Sequence, residues 1–148
     1  MLAKDFGPFS KGRCFNIGFK RVESEKEFFI FADRDLWAGW DLKAILKQCL
    51  EYDFISSFAQ AFDLTEADTR RPINQEWVDT SGYRPRRRTD LCREFCAFTR
   101  KGIQRVGGWD ESNWPRATAV QSQKVKQGLS VFECPGWALR LFSGPAEG

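Results

Sequence analysis

Residues 27–52 read EFFIFADRDLWAGWDLKAILKQCLEY and place an apolar strand shortly before an amphipathic helix. The segment 27–32 is short and wholly apolar after its first residue, which is typical of a buried strand. The second half repeats apolar residues at the helical spacing of three and four, namely Leu42, Ile45, Leu46, Cys49 and Leu50. We therefore expect a chain that mixes strands with helices.

The segments on either side of 27–52 extend this pattern. Residues 13–22 alternate in hydrophobicity, which predicts a strand that forms a hairpin with residues 27–32. Residues 53–62 continue as a predicted helix, and Thr65 signals a second helix start. A connecting loop over residues 70–88 is expected to hold a short strand at Glu76–Val78.

The C-terminal part is predicted to contain one more helix and a second hairpin. Thr89 is a plausible N-cap for a helix that begins at Asp90 and stops at Gly102. Residues 124–144 are predicted to form strands that turn at Pro135–Gly136. The expected fold is one α+β domain over residues 1–148, with antiparallel β-hairpins at both ends and two to three helices between them.

The chain of 148 residues has no histidine, which excludes Ser-His-Asp and Cys-His catalytic arrangements and histidine-containing zinc sites. Its five cysteines lack paired C-x-x-C spacing, so no metal site is expected. They are Cys14, Cys49, Cys92, Cys96 and Cys134. No apolar run reaches transmembrane length and no signal peptide is recognisable, so we expect reduced thiols and a cytoplasmic or nuclear protein without membrane contact.

Trp37 and Trp40 are the first candidate binding residues. If the helix extends back to Leu36, both indoles lie opposite the apolar stripe, bordered by Lys43 and Lys47. Paired exposed tryptophans would indicate a binding surface. In the alternative interpretation, Asp41 is the N-cap and the tryptophans pack under the first hairpin.

The second candidate site is a basic cluster. Residues 84–148 hold 12 Lys and Arg against 6 Asp and Glu, whereas residues 1–83 hold 11 against 14. Three consecutive arginines before a predicted helix N-terminus favour a bound phosphate, although a solvated loop paired with acids of the first half is the alternative. The candidate phosphate contacts are Arg84, Arg86, Arg87, Arg88, Arg93, Arg100, Lys101, Lys124 and Lys126.

The Trp-Ala-Gly-Trp sequence at 37–40 resembles the Trp-x-x-Trp of the tombusvirus small silencing suppressors. In that family the pair stacks on the ends of a small-interfering-RNA duplex while a basic sheet holds its backbone. The resemblance implies a viral suppressor of RNA silencing that binds double-stranded small RNA in the host cytoplasm or nucleus. The lack of histidine and of a convergent catalytic constellation predicts a protein without catalysis, and no cofactor is expected.

Two other functions remain open from the sequence. The first is a phage or viral host-interaction protein, similar in role to an anti-CRISPR inhibitor, that acts through a tryptophan-rich interface. Its partner could be Argonaute or another host defence protein, since Gly-Trp pairs at positions 39–40, 108–109 and 136–137 match the hooks that Argonaute binds. The second is an enzyme that uses carboxylates alone, with Asp33 and Asp35 as its only close pair. A homodimer is compatible with either binding function.

Overall fold

The computed structural model describes residues 10–22, 25–38, 41–70, 80–113 and 116–143, and it confirms the α+β class. The helices are α1 Lys11–Arg21, α2 Leu42–Gln48, α3 Glu66–Thr69, α4 Arg100–Arg105 and α5 Arg116–Gly128. The strands are β1 Phe28–Ala32, β2 Leu36–Ala38, β3 Phe54–Ile55, β4 Gln60–Asp63, β5 Arg86–Arg87, β6 Phe95–Thr99, β7 Val131–Phe132 and β8 Trp137–Arg140. Residues Thr80–Gly82 form a 3₁₀ turn.

The strands form two four-stranded sheets. The first sheet has the order β1-β6-β3-β7 and the second has the order β2-β8-β4-β5. Neighbours are antiparallel except for β3 with β7 and β4 with β8, which are parallel. Strands that follow each other closely along the chain enter different sheets: β1 precedes β2, β3 precedes β4, β5 precedes β6 and β7 precedes β8.

This arrangement corrects the two predicted hairpins. At the C-terminal end, β7 and β8 are confirmed as strands, and Gly136 turns the chain between them with a φ of +99°. They nevertheless belong to different sheets. Residues 124–128, predicted as strand, lie in α5.

At the N-terminal end, residues 13–22 form most of α1, so the strand prediction is wrong there. The alternating phenylalanines that suggested a strand, Phe15 and Phe19, are also four residues apart, and each ring packs on a phenylalanine of β1. Ser10 caps the helix by accepting a hydrogen bond from the Arg13 N–H. A polar cap and one shared aromatic face therefore outweigh the period of two.

The predicted helix over residues 53–62 is also wrong, because this segment forms β3 and β4. Its backbone groups form hydrogen bonds with distant segments: the Ser56 N–H donates to the Phe132 carbonyl and the Ser57 N–H to the Leu91 carbonyl. Pairing with both sheets overrides the local helical pattern.

The predicted helix from Asp90 to Gly102 is replaced by β6 followed by α4. The strand is buried on both faces and therefore reads as a continuous apolar run, which periodicity cannot distinguish from a buried helix. Thr99, rather than Thr89, is the N-cap, and its hydroxyl accepts a hydrogen bond from the Gly102 N–H. Gly102 lies inside α4 and does not end it.

Two other predicted helices are present in the structure. Helix α2 is confirmed with Asp41 as its N-cap, and Thr65 caps α3 as expected. Within the predicted apolar stripe, Leu46 and Leu50 are exposed. The predicted strand at Glu76–Val78 lies outside the described residues.

The core has three clusters, which position the candidate site. One lies between the first sheet and helices α1 and α5, and includes the fully buried Phe54 and Phe98. A second lies on the opposite face of that sheet, where α2 contributes Ile45. The third, around Leu139, belongs to the second sheet.

Candidate nucleic-acid interface

Trp37 lies in β2, not in a helix, so the predicted display of Trp37 opposite the α2 stripe is wrong. It is half-buried and packs on the third core cluster. Its indole contacts that of Trp137 in β8, with ring centroids 6.3 Å apart. Trp40, its predicted companion, lies outside the described residues.

The register of the second sheet gathers an aromatic face, defined here as Trp37, Phe62 and Trp137. Trp37 pairs with Leu139, and Leu139 with Phe62, so these side chains project from the same side of the sheet. Trp137 lies two residues before Leu139 and therefore shares that side. Its ring meets Phe62 edge-on at a centroid distance of 6.0 Å.

The exposed margin of this face is a row of three side chains on three strands. Trp137 pairs with Gln60, and Gln60 pairs with Arg87. Trp137 is 47% exposed, Arg87 is exposed and Gln60 is half-buried. Adjacent strands lie about 4.8 Å apart, so the row sets an indole, an amide and a guanidinium across about 10 Å. Arg87 has no ion pair with any described residue.

Sequence reasoning noted Trp137 only as part of a Gly-Trp pair, and it missed Phe62 and Gln60. A signal was present for Trp137, because it directly follows the predicted Pro135–Gly136 turn and therefore begins a strand. Which face of that strand is open to solvent depends on β4 and β5, and the sequence does not reveal that pairing.

Arg86 points to the opposite side of β5 from Arg87 and is held by acids. Its guanidinium donates two hydrogen bonds to the Asp63 carboxylate, each at 3.1 Å, and a third to the buried Glu94. These contacts raise the pKa of Arg86, chiefly through the Asp63 hydrogen bond. Arg93 lies 3.7 Å from the same Glu94 carboxylate. The acids therefore occupy the place that a phosphate would take.

The Arg88 side chain points inward and bonds to the segments that connect strands of the two sheets. One terminal nitrogen donates to the hydroxyl of Ser56 and to the carbonyls of Ser57 and Cys134, at 3.1, 2.7 and 3.0 Å. The other lies 3.4 Å from Glu133. Since no helix begins near Asp90, the predicted anion site formed by Arg86, Arg87 and Arg88 is not present.

The remaining candidate cations are dispersed over the surface. Lys43 and Lys47 are exposed on α2, which packs into the second core cluster instead of the third. Arg100 donates to the Lys26 carbonyl and stacks on phenylalanine rings, with Lys101 exposed beside it on α4. Lys124 and Lys126 lie on α5 and not on a strand. Arg84 is exposed three residues before Arg87.

The Asp63–Arg86 pair predicts a pH dependence of stability. The hydrogen bond from Arg86, aided by nearby arginine charges, lowers the pKa of Asp63 below its usual 3.8. A lowered native pKa means that the unfolded chain binds the proton more tightly. The pair therefore stabilises the fold above about pH 4, and this contribution is lost as the pH falls through the native pKa.

Asp63→Asn should accordingly be less stable than the native chain near about pH 6, and the difference should shrink steadily below about pH 4. Urea unfolding across this range measures it. A difference that stays constant with pH would show that the carboxylate charge contributes nothing.

All five cysteines are free thiols, and four of them, all except Cys14, are buried. Burial raises the pKa of Cys49 and of Cys134. Among the described residues, no three potential metal ligands cluster. No helix in the described ranges is long and apolar enough to cross a membrane.

Comparisons with protein-family models, with characterised proteins and with solved structures find no match for this chain. The resemblance to the tombusvirus suppressors therefore stays a prediction based on residues 37–40.

Proposed function

We propose that the protein binds RNA through the aromatic face and its exposed margin, as a viral suppressor of silencing that holds double-stranded small RNA. The observation that carries the proposal is the exposed row of Trp137, Gln60 and Arg87 on neighbouring strands. An indole offers a stacking surface to any base, and an unpaired guanidinium offers charge to a phosphate.

Each member of the row has a distinct role in this proposal. Trp137, backed by Trp37 and Phe62, stacks on a terminal base pair, where a duplex presents a free aromatic surface. Arg87 contacts a backbone phosphate, with Arg84 close to it in the chain. Gln60 lies between them and can donate to or accept from a 2′-hydroxyl, the group that distinguishes RNA from DNA.

Trp137→Ala is expected to weaken binding of a short blunt RNA duplex by about 5- to 150-fold, because base–aromatic stacking contributes about 1–3 kcal/mol. Stability should change little, since nearly half of the Trp137 side chain is exposed. Fluorescence anisotropy with labelled duplex measures the affinity, and urea unfolding measures stability.

Phe142→Ala is the matched control, because Phe142 is a similarly exposed aromatic residue, at 42%, outside the row. It should leave RNA affinity unchanged. Arg87→Gln should reduce the salt dependence by about 0.9 in slope for one lost duplex phosphate contact. Full RNA affinity in both Trp137→Ala and Arg87→Gln would contradict the proposal and would favour a host-protein interface on this face.

A further inference from the structure

Strand β1 is an edge strand whose pairing partner lies on one side only. Its register with β6 and two flanking hydrogen bonds, Arg100 N–H to the Glu27 carbonyl and Asp33 N–H to the Glu94 carbonyl, determine which backbone groups face β6. The odd-numbered residues face β6. The N–H and C=O groups of Phe28, Ile30 and Ala32 therefore point away from it, and no described strand pairs with them.

This edge borders an apolar groove of about 430 Å³. One wall is β1 itself. The other wall is the face of α1 that carries Phe15, Gly18 and Phe19, continued by Val22. Because Gly18 has no side chain and nothing lies near its Cβ position, the wall is open at its middle. The groove thus has apolar side chains on its helical wall and, on its other wall, the outward-facing backbone groups of β1.

The strand lacks the usual protection of an exposed edge. Natural edge strands carry charged residues, prolines or bulges that discourage further pairing. Residues 28–32 contain neither a charge nor a proline, and their pairing with β6 is regular. Ile30 remains 37% exposed at the centre of the strand.

The charges of α1 indicate what would bind there. The helix carries four basic residues and no acidic one. Lys11 pairs with Asp33 and Arg13 with Glu111. In the last turn, Arg21 is exposed and has no ion pair with any described residue, whereas Lys20 lies on the side of the helix that faces Glu111. That turn borders the end of the groove next to Phe28, which Lys26 also lines, so this end favours carboxylates.

We propose that the β1 edge binds an extended segment of another protein, which adds to the first sheet as a strand and places acidic residues beside Arg21 and Lys26. The segment runs antiparallel to β1, the more frequent pairing. Its backbone bonds to Phe28, Ile30 and Ala32, and its apolar side chains enter the groove. A second copy of this chain fits less well, since two-fold pairing centred on Ile30 sets Glu27 opposite the second copy's Asp33.

The probe is a labelled, blocked peptide of about eight residues, enough to span the strand, with alternating valine and threonine and two C-terminal glutamates. Anisotropy titration against the full chain gives its affinity. N-methylation of alternate peptide nitrogens should weaken binding about tenfold or more, because it removes the strand hydrogen bonds. Exchange of the glutamates for lysines should weaken it about threefold or more at low salt.

Ile30→Pro is the decisive variant of the protein. The Ile30 N–H points away from β6, so proline removes the outward donor without breaking the β1–β6 ladder. Peptide affinity should fall about tenfold or more, while Ile30→Thr, which keeps the N–H and the strand propensity, retains binding. If Ile30→Pro unfolds, the N-methylated peptide still tests the same bonds.

Three results would overturn the proposal. The first is equal affinity for the normal and N-methylated peptides. The second is unchanged affinity in a folded Ile30→Pro variant. The third, from sedimentation, is a dimer of the native chain that Ile30→Pro dissociates, because the edge would then belong to a second copy.

Discussion

Arg88→Met should destabilise the protein by about 3 kcal/mol, because buried acceptors that lose a charged donor cost about 1–3 kcal/mol each. The Arg88 side chain is only 16% exposed and donates to the Ser57 and Cys134 carbonyls and to the Ser56 hydroxyl. Methionine matches its length without supplying a donor. Urea unfolding should show the loss, and the melting temperature should fall by roughly 6–12 °C.

Arg87→Met is the matched control, one residue away on the opposite side of β5. Its side chain is exposed and unpaired among the described residues, so stability should stay within about 0.5 kcal/mol of the native chain. Equal stability of the Arg88 and Arg87 variants would contradict the structural role of Arg88. It would favour the alternative interpretation from the sequence, in which both arginines lie in a solvated loop.

Gly12→Ala should cost about 3 kcal/mol or more, at or above the usual upper end for overpacking. A Cβ atom at Gly12 would lie 1.9 Å from the Asp110 carbonyl oxygen. The clash is with backbone, so no side-chain rotation can relieve it, and α1 must move away from the loop that holds Trp109. Asn16 bonds that loop at the Trp109 N–H and carbonyl, and these bonds would be lost as well.

Gly18→Ala in the same helix is the control, because nothing lies within 4 Å of its Cβ position. Removing a glycine from a helix interior should stabilise it by about 0.5–1 kcal/mol. Opposite signs for the two variants are the expected result in thermal unfolding. Similar effects would mean that α1 is not docked against Asp110.

The correct sequence predictions concern elements whose signals are local. They are the apolar run of β1, the helical spacing and Asp41 cap of α2, and the Thr65 cap of α3, and each of these signals lies within a few residues of the element it predicts. The wrong ones depend on distant partners. Residues 13–22 satisfy either period, and α1 is selected by contacts with residues near 110, about a hundred positions away.

The same distinction between local signals and distant partners applies to the candidate site. Three consecutive arginines look equivalent in the sequence, but on a strand alternate side chains point to opposite faces. Arg87 therefore faces solvent while Arg86 and Arg88 face Asp63 and Ser56. Recognition of a strand at β5 would have separated them. Its partner β4 was predicted as helix, so this alternation could not be anticipated.

The passage of consecutive strands into different sheets has a consequence for how the chain folds. Trp37 in β2 pairs with Leu139, and Phe28 in β1 pairs with Thr99, so the sheets join residues far apart in the sequence. In such topologies, large loops must close before the new contacts offset the loss of chain entropy. Folding then takes milliseconds to seconds instead of microseconds. During synthesis, β2 and β4 have no common neighbour until residues 137–140 leave the ribosome. The second sheet, with its aromatic face, is therefore completed only after β8 has been synthesised.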